Sequence, residues 1–252
     1  MPYLFAAERH NDADYAGGRV FYSLPGHPAF PVRLISEIFQ RCLALRVADG
    51  LTAPIALYDP CCGGAYHLAT LAYLHGERIA SIAASDIDAD ALSLARRNLA
   101  LLTLPGLDRR TRELELLWAE YGKRSHEEAL ESAGRLREQL LALTERRSIP
   151  ITLFQADALD EADIISVLGR ASVDVVLTDV PYNRLSAWQG DAGSDPLWRM
   201  LEALRPVLSP GAVVAVASDK GQTPAHAAYR RVDRFQIGKR RIVLLRPVLS
   251  TD

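Results

Sequence analysis

Ile55-Ala56-Leu57-Tyr58-Asp59-Pro60-Cys61-Cys62-Gly63-Gly64-Ala65 is the stretch that decides the fold of this chain. Its first five residues read as a buried strand that stops at an acid. Pro60 to Ala65 then turns through two glycines into an apolar helix beginning at Tyr66. A strand-to-helix turn of this kind is where α/β proteins hold nucleotides. Glycine lets the backbone come close to a ligand, and the helix N-terminus offers unpaired N–H groups to a negative group. Alone, the run is an ordinary turn. It gains meaning because three more acidic strand ends follow in order, at Ser85-Asp86, Ala156-Asp157 and Thr178-Asp179.

Working outward, strands are expected at 55–59, 79–86, 151–156, 173–179 and 212–218, and helices at 65–76, 89–102, 160–169 and 196–206. That alternation predicts a parallel sheet with helices on both faces. Val232 to Ile237 and Arg241 to Leu245, joined at Gly238-Lys239, read as an antiparallel hairpin on one edge. The fold class is therefore α/β, a Rossmann-like, doubly wound, mostly parallel sheet with a C-terminal antiparallel hairpin. Residues 1–50 form an N-terminal helical extension to a domain spanning 51–252. In the extension Val32, Ile35, Phe39, Cys42, Leu43 and Val47 repeat at helical spacing, and Pro31 suits the first helical position. Residues 103–149 are too many for a loop in a compact domain and read as an inserted helical hairpin. Its first helix carries a stripe of Leu107, Leu114, Leu117, Trp118 and Tyr121. Its second is expected to start at Ser125 with a capping box to Glu128.

Bulk properties narrow the function. The chain has 252 residues, 49% of them hydrophobic, enough for a full core. No apolar run approaches the roughly 20 residues needed to span a bilayer, and the N-terminus lacks the basic-then-apolar order of a secretory signal. Cys42, Cys61 and Cys62 make no disulfide framework or zinc half-site, so a reducing cytoplasm is the expected setting. A net charge of −2 argues against a nonspecific polycation that coats nucleic acid. Arginine nevertheless dominates the bases, since Lys123, Lys220 and Lys239 are the only lysines. Basic clusters stand at Arg96-Arg97, Arg109-Arg110-Thr111-Arg112, Arg146-Arg147, Arg230-Arg231 and Lys239-Arg240-Arg241. Arginine suits bidentate phosphate contacts, although most such pairs on helix ends are simply solvated. The six histidines show no metal-ligand spacing, and no Gly-x-Ser-x-Gly elbow appears. Ala65 breaks the Gly-x-Gly-x-x-Gly dinucleotide pattern, which disfavours nicotinamide chemistry.

Each acid has a structural and a ligand reading. Asp59 can accept bonds from its own loop or from an ammonium group. Asp86 sits where a carboxylate takes both hydroxyls of a ribose, whereas Asp88, two residues on, reads as a helix N-cap. Asp157 can meet an adenine amino group or cap the following helix. His67, beside the glycine loop, reads as a packed helix histidine. Thr178-Asp179-Val180-Pro181-Tyr182-Asn183 places an acid, a proline-stiffened turn and an aromatic after a buried strand. Such a cluster suits a planar base bearing an amino group, which stacks on the ring and donates its N–H bonds to the oxygens.

Taken together, these motifs resemble the class I S-adenosylmethionine-dependent methyltransferases. Asp59-Pro-Cys-Cys-Gly-Gly-Ala65 is similar to that family's first motif, and Ser85-Asp86 through Leu92 with Ala95-Arg-Arg-Asn98 to its second. Pro206-Val-Leu-Ser-Pro-Gly211 before the fifth strand is another family habit. Asp179-Val-Pro-Tyr182 is similar to the fourth motif, Asn/Asp-Pro-Pro-Tyr/Phe, of enzymes that methylate exocyclic amines, with Val180 for the usual first proline; in the first motif Gly64-Ala65 stands for the usual Ser-Gly. The Thr-Asp-x-Pro-Tyr form looks most like guanine N2 methylases. With its extension and insertion, the whole chain resembles antibiotic-resistance 23S rRNA methyltransferases. The resemblance implies S-adenosylmethionine as cofactor, held by Asp59, Pro60, Cys61, Gly63, Gly64, Ala65, Asp86, Ile87, Asp157 and Ala158. It implies Asp179, Tyr182 and Asn183 as the catalytic group. The substrate would be a guanosine base, at exocyclic N2 or ring N1, in 23S rRNA or the large subunit, with resistance to a drug such as avilamycin as the outcome. Arg109, Arg110, Arg112, Arg146 and Arg147 are the candidate RNA contacts. A cytoplasmic monomer without metal or membrane partner is expected. A small-molecule methyltransferase and a non-catalytic RNA-binding assembly factor are the alternatives.

Overall fold

Strand β1 (Ile55–Asp59) is flanked on both sides, and its apolar run is what a central strand requires. In the computed structural model, which describes residues 3–23, 30–181, 188, 195–219 and 221–248, the strands are joined in one sheet. Its members are β1, β2 (Ile79–Asp86), β3 (Ile151–Gln155), β4 (Val173–Asp179), β5 (Leu208–Ser218), β6 (Tyr229–Ile237) and β7 (Arg240–Pro247). Among the described residues their order is β3-β2-β1-β4-β5-β7-β6. The first five are parallel, and β7 runs antiparallel between β5 and β6. The carboxyl ends of β1 to β4 therefore lie side by side along one edge, where doubly wound sheets bind ligands.

Alternation along the strands feeds two cores. Leu57, Val175, Leu177, Val213 and Ala215 face α1 (Val32–Ala48), α2 (Tyr66–His75) and α3 (Ala89–Ala100). Tyr58, Val176, Val214 and Val216 face α6 (Glu161–Leu168) and α7 (Pro196–Leu204). Fully burying each such Val, Leu or Ile contributes about 1.5–3 kcal/mol. Residues 103–149 do form a hairpin, α4 (Leu104–Tyr121) and α5 (Arg124–Arg146). No helix among the described residues is long and apolar enough to cross a membrane.

Three local expectations fail. Pro31 is the N-cap of α1 rather than its first residue. Helix α5 starts one residue early with Lys123 as its cap, so Ser125 lies inside the helix and no capping box forms. Glu128 instead accepts from Arg19 at 3.0 Å and from Arg124 at 3.2 Å. Finally, Leu107 and Leu114 are buried, but Trp118 is 47% and Tyr121 54% exposed. The reason is length. Leu143 packs on Gly76 and Arg146 pairs with Glu77, just before β2. The other end of α5, about 30 Å away at 1.5 Å per residue, has outrun the body that would cover its partner's stripe.

The extension is tied down by charge rather than by a strand. Glu37 on α1 is fully buried and accepts from the N–H groups of Leu4, Phe5 and Ala6, each at 2.8 Å. It also accepts from Arg41 Nε at 2.7 Å, and Arg41 reaches on to Asp233 of β6 at 2.7 Å. Burial opposes the Glu37 charge, but the Leu4 and Ala6 N–H groups, Arg41 and the Phe5 N–H outweigh it and hold its carboxyl below the usual value.

Candidate active site

The glycine loop is built around Asp59. This carboxylate is fully buried; one oxygen accepts from Cys61 N–H at 3.0 Å and the other lies 2.6 Å from His67 Nε2 in the first turn of α2. Asp59 therefore pins the loop from beneath, with each oxygen held by the protein itself. Buried Pro60 and Ala65 likewise support the loop from below, whereas Cys61, Gly63 and Gly64 are partly exposed. Gly63 has φ +52, and a Cβ there would meet nothing within 4 Å, so the loop presents open backbone at this point. A Cβ on Gly64 would come within 2.6 Å of Leu94 on α3, so the helix can approach only a glycine. Ala65 is left-handed at φ +50, ψ 23, a conformation that costs an L-residue about 1–2 kcal/mol. Strain of this kind collects at ligand loops.

Asp86 closes the side of the cleft. Its Oδ2 accepts from Gly63 N–H at 2.8 Å and its Oδ1 from Asp88 N–H at 3.0 Å. A carboxylate has about four acceptor positions, so each oxygen can take another donor. Burial raises the Asp86 pKa, against the pull of the Asp88 and Gly63 N–H groups. Asp88 caps α3 as expected, accepting from Asp90 and Ala91. Asp86 pairs in register with Gln155, whose side chain donates to the Ile87 carbonyl at 2.9 Å, which brings Asp157 to the same edge. Asp160, not Asp157, caps α6. Asp157 accepts from Leu159 N–H at 2.9 Å in a turn of its own, and Ala158 is buried beside it.

Asp179 ends β4 on the other side of β1. Its Oδ2 accepts from Arg240 Nε and Nη2, both at 3.4 Å, and its buried Oδ1 has no hydrogen-bond partner among the described residues. Burial pushes the Asp179 pKa up to about 6, against the pull of Arg240 and His67 and with the help of Asp59. The segment is rigidly placed: Val180 N–H donates to Ala217 O at 3.0 Å, and Gln222 donates to Pro181 O at 3.1 Å. Tyr182 and Asn183 lie outside the described residues.

The predicted arginines divide. Arg110 is buried and donates to Val20 O, Arg19 O and Glu113, so it ties the extension to α4 and is not a free RNA contact. Arg146 and Arg147 bind Glu77 at the amino end of β2. That places them about 25 Å from the carboxyl edge, at roughly 3.3 Å per residue of the eight-residue strand. Arg109 and Arg112 are exposed.

Three contributors escaped the sequence reading. Arg240 was visible only as part of a basic cluster; it stacks 4.7 Å over the ring of Phe30, which the extension delivers to the site. His67 proves to be the partner of Asp59, as well as a packed residue. Asn98, fully buried, accepts from Tyr22 N–H at 2.8 Å and donates to Tyr22 O at 3.1 Å and to Gly64 O at 2.8 Å.

Three parallel strands that end in acids, with Asp157 just past a fourth, stand beside a glycine loop on a sheet with one reversed strand, the Rossmann-like arrangement of a methyltransferase. The chain belongs to the family described as rRNA methyltransferase AviRa, whose model matches residues 1–240. It is 41% identical over 244 residues to the 23S rRNA (guanine(2535)-N(1))-methyltransferase of Streptomyces viridochromogenes, covering 97% of this chain and 95% of that protein. Two crystal structures of rRNA methyltransferase AviRa from the same organism are also similar. One has a TM-score of 0.85 at 40% identity, and the other 0.86 at 39%; each comparison covers 97% of this chain and 96% of the other.

Proposed function

We propose that this protein transfers a methyl group from S-adenosylmethionine to a guanosine base of 23S rRNA, at ring N1. The observation that carries the reading is the Asp179 carboxylate, with one buried oxygen lacking a partner among the described residues, on the same sheet edge as the glycine loop and Asp86. The printed activity of the Streptomyces relative supports the substrate and the atom.

The residues present fit the cofactor. Open backbone at Gly63 and the partly exposed Cys61 and Gly64 would line its methionine part. Asp86 would take its ribose hydroxyls, and Ile87, Asp157 and Ala158 would surround its adenine. When bound, S-adenosylmethionine supplies an electrophilic methyl group on a sulfonium. Guanine N1 carries a hydrogen at neutral pH, so methylation there must end with that proton leaving. Asp179 Oδ1 is the acceptor we assign to it. A carboxylate with its pKa near 6 is a better base than an ordinary one. Arg240 orients Asp179 through Oδ2 and keeps it ionised at neutral pH. Tyr182 is assigned to stack on the base and Asn183 to read its edge. Much of the acceleration then comes from orientation, an effect worth up to about 7–11 kcal/mol.

Incubation with labelled methyl donor and 23S rRNA, followed by digestion to nucleosides, tests the reading. Label in 1-methylguanosine is the expected result; label on another base, on ribose or nowhere would overturn it. Methylation should also lower sensitivity of the ribosome to a drug such as avilamycin. The cofactor assignment has its own check. Asp86→Ala removes the ribose acceptor and frees Gly63 N–H, so calorimetry should show S-adenosylmethionine bound roughly ten- to a hundredfold more weakly, the size of one lost charged hydrogen bond. Unchanged affinity would remove Asp86 from the site.

A further inference from the structure

The C-terminal ribbon β6–β7 carries a row of cations of which the reading above uses only Arg240. Residues 230–241 hold Arg230, Arg231, Arg234, Lys239, Arg240 and Arg241 against a single acid, Asp233, which is paired with Arg41 on α1. The register sets Arg231 opposite Leu245, Arg234 opposite Val243 and Gln236 opposite Arg241. These residues share one face of the ribbon, the one turned toward α7 and away from α1. Among the described residues β6 is the outermost strand of the sheet, and Arg231, Arg234 and Lys239 are exposed. Among the described residues none of these three makes an ion pair.

The helical hairpin differs. There Arg110, Arg124, Arg135, Arg137 and Arg146 each pair with a carboxylate. Their charge is already matched locally, whereas that of the ribbon is not. The ribbon is also aimed at the site. Strand β6 runs parallel to β5, so the row climbs about 20 Å, at roughly 3.3 Å per residue, toward the carboxyl edge. It ends at the Gly238-Lys239 turn, next to Arg240 and its partner Asp179. Charged side chains also blunt an exposed sheet edge against pairing. Blunting needs charge of either sign anywhere along the strand, and it does not require one sign running to an active site.

We infer that the α7-side face of the β6–β7 ribbon, through Arg231 and Arg234, together with Lys239 at its turn, binds the phosphates of the rRNA strand flanking the methylated base. This rests on the rRNA reading above. Arginine provides the planar fork that matches phosphate, and contacts of this type position the nucleic acid without reading its sequence.

The test is an Arg231→Gln/Arg234→Gln/Lys239→Gln variant, checked for an unchanged thermal midpoint and unchanged S-adenosylmethionine affinity. A 23S rRNA fragment is the probe in filter binding between 50 and 200 mM salt, a window of about the usual span. Affinity should fall roughly tenfold, and the slope of log K against log salt should become shallower by about 2–3, one phosphate contact per removed cation. In turnover assays the loss should appear in KM for RNA, with kcat at saturating RNA retained. Arg124→Gln/Arg137→Gln on α5, whose charges Glu128 and Asp108 already match, is the comparison and should leave the slope unchanged. A triple variant with wild-type affinity and slope overturns the inference while leaving rRNA methylation intact. A wild-type protein that binds the cofactor but neither binds nor methylates rRNA overturns both.

Discussion

Asp179→Asn is expected to lower kcat by about 10²–10⁴-fold, the usual worth of a positioned proton acceptor, and to leave S-adenosylmethionine binding intact. Asparagine keeps the volume and one carbonyl oxygen but cannot take up the N1 proton. The pH dependence sharpens the test. Burial sets the Asp179 pKa at about 6, so below that pH the carboxyl already holds a proton and cannot accept another. Wild-type kcat should therefore climb with pH through about 6 and level off, and the variant's residual rate should lack that step. Stability should move the other way. The raised value means that the folded state favours the protonated acid. Its contribution is complete below the ordinary carboxylate range and is lost as pH rises through about 6. At pH 8, roughly two units beyond the step, the variant should unfold at least as high as the wild type. A variant with near-normal kcat would remove Asp179 from the chemistry. One that is inactive and also unstable at that pH would show the carboxylate to be a packing element.

Glu37→Ala should cost about 3–5 kcal/mol, the range for removing one partner of a buried ion pair. The loss includes three backbone N–H groups and one side of the Arg41 bridge to Asp233. For a domain of this size a fall in Tm of roughly 10 °C follows. Limited proteolysis should then cut the first residues, whose N–H groups no longer have an anchor. Because the folded Glu37 carboxyl sits below its ordinary value, its contribution is present above the ordinary carboxylate range and disappears as pH falls through the folded value. Scans at neutral pH should show the full difference between variant and wild type, and scans in strong acid a smaller one. An unchanged Tm together with an unchanged digest would refute the anchor.

Much of the architecture was legible because β1 and β4 are almost wholly buried and, like β2, end at an acid. That combination marks both the element and its carboxyl end, as at Asp59, Asp86 and Asp179. The inserted helices were legible from length and periodicity. What periodicity cannot convey is how far a helix runs past its support, which is why Trp118 and Tyr121 were read as part of a stripe and stand in solvent. The arginines were misjudged for a related reason. A cluster in sequence gives no sign of which guanidinium will meet a carboxylate, and Arg110 finds Glu113 together with two carbonyls of the extension. Arg240 lies 61 residues from Asp179, so only the return of β7 alongside β5 brings them together.

The three bonds of Asn98 carry a consequence for how this molecule responds to ligand. One side chain staples Tyr22 to Gly64, so a shift of the glycine turn is passed directly to the leading segment. Whatever settles into the turn must also quiet the segment, whose amide exchange then becomes a reporter of occupancy at a distance. Trimming the chain ahead of α1 would, by the same coupling, unsettle the floor on which the methyl donor is to rest.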